Sequence, residues 1–203
     1  MLRRSLHFVL IVATLALSIA PAVTGRVRSL RFIATMSTAL TMGMSFAHTL
    51  ELPGKMKYEG KLWWHLSRTL YRPWWGRAGY VEGLALCSGP GLAYLVRHRR
   101  PGLPLTLGAV ACLLLANPVV FFRCVQPANS ATLQTTPEEL PSNWTELRDS
   151  WEYGHAIRFA LHLAALSALL ASVLIETPTE TPRKRPLRGR RRALRYFPGE
   201  VGR

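Results

Sequence analysis

Apolar residues in this chain are segregated into long runs, and polar residues into the stretches between them. A helix needs roughly 20 apolar residues to cross a hydrocarbon core of about 30 Å. Four runs meet that length: Leu30–Leu50, Gly79–Val96, Leu103–Phe122 and Gly154–Ile175. They predict an all-α protein, an integral membrane four-helix bundle. A fifth run, Ser5–Val23, follows Arg3 and Arg4 and ends at Ala20-Pro21-Ala22, the shape of a signal peptide. We read it as an additional, uncleaved N-terminal segment; a cleaved signal and an interfacial helix are the alternatives. The chain then divides into an N-terminal apolar segment (1–28), a transmembrane domain (29–176) and a Pro- and Arg-rich tail (177–203). Such a tail is expected to be disordered and to lie against anionic lipid headgroups.

Composition alone hides this pattern, because the mean hydropathy of the 203 residues is only +0.11. Charge adds orientation. Lys and Arg number 26 against 11 Asp and Glu, a net +15. A nucleic-acid binder would gather that charge on one folded face with aromatic residues among it. Here it occupies the gaps between apolar runs, as in membrane proteins, so no nucleic-acid partner is expected. Arg26, Arg28 and Arg31, then Arg97, Arg99 and Arg100, then the tail from Arg183 alternate onto one side. They outnumber the basic residues of the two opposite loops. This predicts a multi-pass membrane protein with its C-terminal tail in the cytoplasm. The loop from Lys61 to Arg77 sets Trp63, Trp64, Tyr71, Trp74 and Trp75 among cations, which is interfacial composition. The loop from Arg123 to Ser150 is acidic and proline-containing, and is expected to be ordered only in part. Cys87, Cys112 and Cys124, odd in number and without CxxC spacing, read as small buried hydrophobes. Oligomeric state is not legible.

Polar residues inside apolar runs are functional candidates. In the first run Thr38, Thr41, Ser45, His48 and Glu51 recur at steps of three and four, one stripe of a helix. In the last, Glu152, His155, Arg158 and His162 do the same. Ala39, Gly43 and Ala47 beside the first stripe, and Ala160, Ala164 and Ala168 beside the second, predict close helix packing. The second run adds Glu82 and a Ser88-Gly89-Pro90-Gly91 break, and the third adds Asn117-Pro118. Alternation of the runs brings His48, Glu51, Glu82, Asn117, Glu152, His155 and Arg158 to one end of the bundle. His48-x-x-Glu51 and Glu152-x-x-His155, with Glu82, have the spacing of carboxylate and histidine metal ligands. A transition metal such as iron, or no cofactor at all, is therefore expected. A buried salt-bridge network centred on Arg158 is the competing reading, since a cation disfavours a metal site.

Three segments carry a family resemblance: Ser45-Phe46-Ala47-His48-Thr49-Leu50-Glu51-Leu52-Pro53, Asn117-Pro118, and Trp144 to Arg158 with its pattern W-x-x-L-R-x-x-W-E-x-x-H-x-x-R. Together they resemble the small four-helix membrane family, largely of unknown function, that contains the anthrone oxygenases. The resemblance spans Arg31 to Ile175 and omits the N-terminal segment and the tail. It implies oxidation of an apolar aromatic substrate by molecular oxygen, without an organic cofactor. On that implication His48 or His155 is the general base, Arg158 and Asn117 stabilise an enolate, Glu152 orients a histidine, and the substrate arrives from lipid. The long Trp-rich loop and the extended Glu138–Trp151 loop depart from that branch and are similar to bacterial members without assigned activity. The other class is a non-catalytic accessory protein or small transporter, in which the polar cluster is structural or conducts protons.

Overall fold

A computed structural model describes residues 25–98 and 101–177, and these are helical with short connections. The N-terminal apolar segment, Arg99, Arg100 and the basic tail lie outside the described residues. Helix α1, Arg26–Lys55, starts after Gly25, whose φ of 103° is a left-handed conformation that glycine adopts without strain. Helix α2, Gly60–Leu66, continues through a wide π-type turn at Ser67–Tyr71 and a single 3-10 turn at Arg72–Trp74 into α3, Trp75–Val96. Helix α4, Leu103–Leu114, widens into π-type turns over Leu115–Val125 and continues as α5, Gln126–Gln134. Pro118 sits within the widened stretch. It has no N–H to donate, so one bond of the regular ladder is missing there. Helix α6 is Trp144–Glu176.

The four long elements close a ring: α1 packs on α3 and α6, and α4 packs on the same two neighbours. Two of them, Leu103–Gln134 and Trp144–Glu176, are long and apolar enough to cross a membrane. The core has two apolar halves. One joins Ala34, Ala85, Leu92, Val96, Ala109, Leu113, Ala165 and Leu169. The other joins Trp63, Trp64, Val125, Ala128 and Trp151. Between them runs a polar belt, visible along α6, where Glu152, His155, Arg158 and His162 are buried between Trp151 and Ala165. At the end opposite the tryptophans, Arg31 and Glu176 form a 2.6 Å ion pair between the start of α1 and the end of α6.

Several expectations are corrected. The alanine–glycine stripes do not carry the packing. Gly43, Ala47, Ala160 and Ala164 are exposed, Ala39 is half-buried, and Ala168 only flanks the core. The close-packing face is the hydroxyl stripe itself, because Ser37 and Thr41 return their hydroxyls to backbone carbonyls of the preceding turn. Bonded in this way, a hydroxyl residue packs like a small apolar one. The expected break at Ser88–Gly91 is not a break, and α3 runs through Pro90. Its glycines instead admit neighbours: a Cβ on Gly89 would stand 3.4 Å from Val110, and one on Gly91 3.3 Å from Leu30. Cys87 is exposed, and Cys112 and Cys124 are half-buried. Trp63 and Trp64 are not at the periphery but almost fully buried, at 1% and 0% exposure.

Gly154 marks the tightest approach between α6 and the widened segment: an added Cβ would stand 2.7 Å from Cys124 Cβ. Gly154→Val should therefore destabilise by about 1–3 kcal/mol. Gly43, whose Cβ position meets nothing, should gain roughly 0.5–1 kcal/mol as alanine. Chemical unfolding of the detergent-solubilised protein measures both.

Candidate functional site

The seven residues expected at one end of the bundle do meet there, in two ion-pair networks joined by a pair of imidazoles. The first network centres on Lys55, a residue that the sequence reading passed over. Its Nζ lies 2.8 Å from Glu152 Oε2 and 3.3 Å from Glu51 Oε2. It also lies 3.3 Å from His48 Nδ1, 4.7 Å from the centre of the Trp151 ring and 5.1 Å from that of Tyr71. Glu152 receives the indole N–H of Trp63 on its other oxygen at 2.8 Å. Glu152 is thus held by a cation and an indole, and reaches a histidine only through Lys55. An ammonium group can only donate, so His48 Nδ1 accepts and the neutral ring carries its proton on Nε2.

The second network centres on Arg158. Its Nη2 donates to Glu82 at 2.6 Å and to Asn117 Oδ1 at 2.9 Å. The same Asn117 oxygen lies 3.2 Å from His162 Nε2, and His162 Nδ1 lies 3.1 Å from Ser45 Oγ. Asn117 Oδ1 only accepts, so neutral His162 carries its proton on Nε2. Helices α1, α3 and α6 and the widened segment are thereby tied together, α6 through two residues. π-type turns recur where a helix must present a particular side chain, and here the side chain is Asn117.

His48 and His155 link the networks, with ring centres 4.3 Å apart and planes at 33°. Trp151 meets both rings edge-on, at 4.8 and 4.3 Å. His155 is 8% exposed, and its Nδ1, though buried, has no hydrogen-bond partner among the described residues. Arg158 Nε and Asn117 Nδ2 share that condition. Beside them lies a cavity of about 420 Å³. His48, His155, Arg158 and Glu82 form its polar wall, and Tyr71, Trp74, Trp75, Trp151 and Phe121 supply aromatic rings. Asn117 does not border the cavity; it holds Arg158, which does.

At the outer rim, Tyr71 donates to Glu51 Oε2 at 2.7 Å. Partial burial pushes the Glu51 carboxyl up, but the Tyr71 hydrogen bond and Lys55 outweigh it and hold the group below its usual range. Burial first, and then the bond to Glu51, push the Tyr71 phenol well up.

The metal reading is corrected. Among the described residues no three His, Cys, Asp or Glu side chains converge as a metal site. Lys55 occupies the space between Glu51 and Glu152, and Arg158 takes Glu82, so the expected set of His48, Glu51, Glu82, Glu152 and His155 is split by two cations. Lys55 had a readable signal, since it stands one step of four beyond Glu51 on the stripe that begins at Thr38. Trp63 had none; its partner is 89 residues away.

No protein-family model, curated protein or solved structure matches this chain.

Two predictions follow from the rim. Lys55 is 4% and Glu152 0% exposed at the side chain. Lys55→Met leaves a buried carboxylate uncompensated and should destabilise by about 3–5 kcal/mol. Lys55→Met/Glu152→Gln should recover most of that loss in the same unfolding measurement. Tyr71 should stay protonated through pH ~10, where exposed tyrosines ionise. The stability tied to its neutral form is complete below that pH and is lost as pH rises through the raised value. Ultraviolet titration of the wild type against Tyr71→Phe should show one late-ionising phenol, and Glu51→Gln should bring it earlier.

Proposed function

We propose that the chain is a multi-pass membrane protein whose cavity binds a flat, apolar aromatic molecule and oxygenates it, in the manner of the anthrone oxygenases that its motifs resemble. In this reading all four long helices span the bilayer, and the arginine-rich tail faces the cytoplasm of a bacterial cell. The distribution of side chains supports spanning by α1. Its exposed side carries Ile33, Met36, Leu40, Phe46 and Leu50, while its buried side carries Ser37, Thr38, Thr41 and Ser45. A soluble helix has the opposite arrangement. Polar groups that face one another inside an apolar exterior are the arrangement a bilayer requires.

The single observation that carries the chemistry is His155. It borders an aromatic-walled cavity beside the Arg158 guanidinium, and its buried Nδ1 has no protein partner among the described residues. His48 is less suited as base, because its Nδ1 already accepts from Lys55. His155 would take a proton from an activated CH2 between aromatic rings, conjugated through them to a ring carbonyl. The released electron pair enters the ring system as an enolate, whose oxygen Arg158 stabilises in a dry site. The carbanion carbon bonds to molecular oxygen, the peroxide takes the proton back from His155, and loss of water leaves a carbonyl. The sum is CH2 + O2 → C=O + H2O, with oxygen as the sole oxidant. Asn117 holds Arg158 in place, and Lys55 orients His48 against His155.

A proton-conducting role draws on one further observation: Lys55 connects His48 to Glu51, whose side chain is 44% exposed at the rim. The assay separates the two. Protein in nanodiscs, given a hydroxylated anthrone and oxygen, should form quinone with one oxygen consumed per product. His155→Phe should lower kcat by about 10²–10⁴-fold, and His48→Phe should lower it by less. His155→Ala and His48→Ala variants, correctly inserted and turning over at the wild-type rate, would sink the oxygenase reading. Proton flux into vesicles without substrate turnover would favour the alternative.

A further inference from the structure

We infer that the cavity is loaded sideways, through a portal between α1 and α3 framed by Ala47, Ala78 and Gly79. Its ligand would be an uncharged planar aromatic molecule, bearing a hydroxyl or carbonyl, drawn from the headgroup zone of the lipid. The inference rests on the proposed membrane placement and aromatic ligand.

The cavity walls are unequal. Inward stand Trp151, His155 and Arg158, large and nearly fully buried. Between α1 and α3 the lining includes three small residues, Ala47 from one helix and Ala78 and Gly79 from the other, among larger ones such as Met44, His48, Trp75 and Glu82. Ala47 and Gly79 are exposed as well as bordering the cavity, so the wall there is one residue thick. A Cβ built on Gly79 meets no atom within 4 Å. A side chain there has open space, so helix packing does not require the glycine.

The route along the bundle axis is obstructed. Lys55 bridges Glu51 and Glu152 above the rings of Tyr71 and Trp151. Beside it Trp63 and Trp64 are packed with Trp151 and Val125. The cavity reaches the rim at Glu51, whose side chain is 44% exposed, so a ligand arriving from water would have to pass that carboxylate.

The surroundings of the gap identify its medium. Leu70 is 49%, Trp74 53% and Tyr80 83% exposed, and the Arg77 guanidinium lies 4.8 Å from the centre of the Trp74 ring. Exposed aromatic rings beside arginine belong at headgroup depth. Phenolic aromatic molecules concentrate at the same depth, with an apolar body and one polar edge. Inside, the polar edge meets the His155 ring and the Arg158 guanidinium, both of which border the cavity. Apolar rings meet the planar body.

The test follows quenching of tryptophan fluorescence as 1-hydroxyanthraquinone passes from loaded phosphatidylcholine vesicles to protein in nanodiscs. Gly79→Leu should slow loading at least tenfold. Ala47→Leu, on the facing helix, should do the same and serves if Gly79→Leu fails to insert. Gly83→Leu is the control: its Cβ also meets nothing, and it does not border the cavity. It should load at the wild-type rate. The sulfonated, water-soluble anthraquinone added from the aqueous side should not compete. Wild-type loading by both Gly79→Leu and Ala47→Leu, or equal slowing by Gly83→Leu, would overturn the portal while leaving the cavity reading intact. Rapid quenching by the sulfonate would place access in water and overturn it too. A wild-type protein that never binds the hydroxyanthraquinone would remove the ligand reading, and the portal with it.

Discussion

The pairing of Lys55 with Glu152 is the constraint on which the upper half of the molecule depends. An isolated charge in an apolar interior is expensive, so each of these two groups requires the other. Lys55 is the last residue of α1, and Glu152 lies two turns into α6. Their 2.8 Å contact therefore sets the relative height of the two helices. The second carboxylate oxygen recruits Trp63, which draws α2 down over the bundle end. Around the ammonium group the faces of Tyr71 and Trp151 complete the enclosure. Breaking the pair would release three elements at once.

The histidines acquire their different characters from the same arrangement. His48 is committed, with one nitrogen on Lys55. His155 borders the cavity with its buried Nδ1 unpartnered among the described residues, because both nearby cations are engaged elsewhere: Lys55 by carboxylates, Arg158 by Glu82 and Asn117. An ion-pair network and a reactive site need not be competing readings of such a cluster. Here the cations that exclude a metal are also the groups that fix the geometry around His155. The deeper network, Arg158–Asn117–His162–Ser45, keeps the four long elements in register below the cavity.

Much of this was legible in the sequence, for a physical reason. Residues that share a helix face recur at three and four, so the stripes from Thr38 to Glu51 and from Glu152 to His162 identify the buried sides of α1 and α6. Chain alternation then places Glu82 and Asn117 at the same end. What periodicity cannot rank is two adjacent stripes on one helix. The alanines and glycines seemed the packing face, yet hydroxyls bonded to their own backbone took that place, leaving Gly43 and Ala160 outside. Nor does periodicity distinguish a tryptophan at the periphery from one in the core. Trp63 is buried because a carboxylate 89 residues away needs a donor, and no local pattern carries that information. Spacing made Glu51, Glu82 and Glu152 look like metal ligands because it ignores which cation arrives between them.

The most direct test is nuclear magnetic resonance of the tryptophan indole protons in lipid nanodiscs. The Trp63 indole proton, donated to a buried carboxylate, should resonate well downfield of that of exposed Trp74 and exchange slowly with water. Glu152→Gln should move that one signal and leave Trp74 unchanged. A Trp63 indole that exchanges as fast as that of Trp74, and is indifferent to Glu152→Gln, would mean that α2 does not seat on α6. The polar core described here would then not exist.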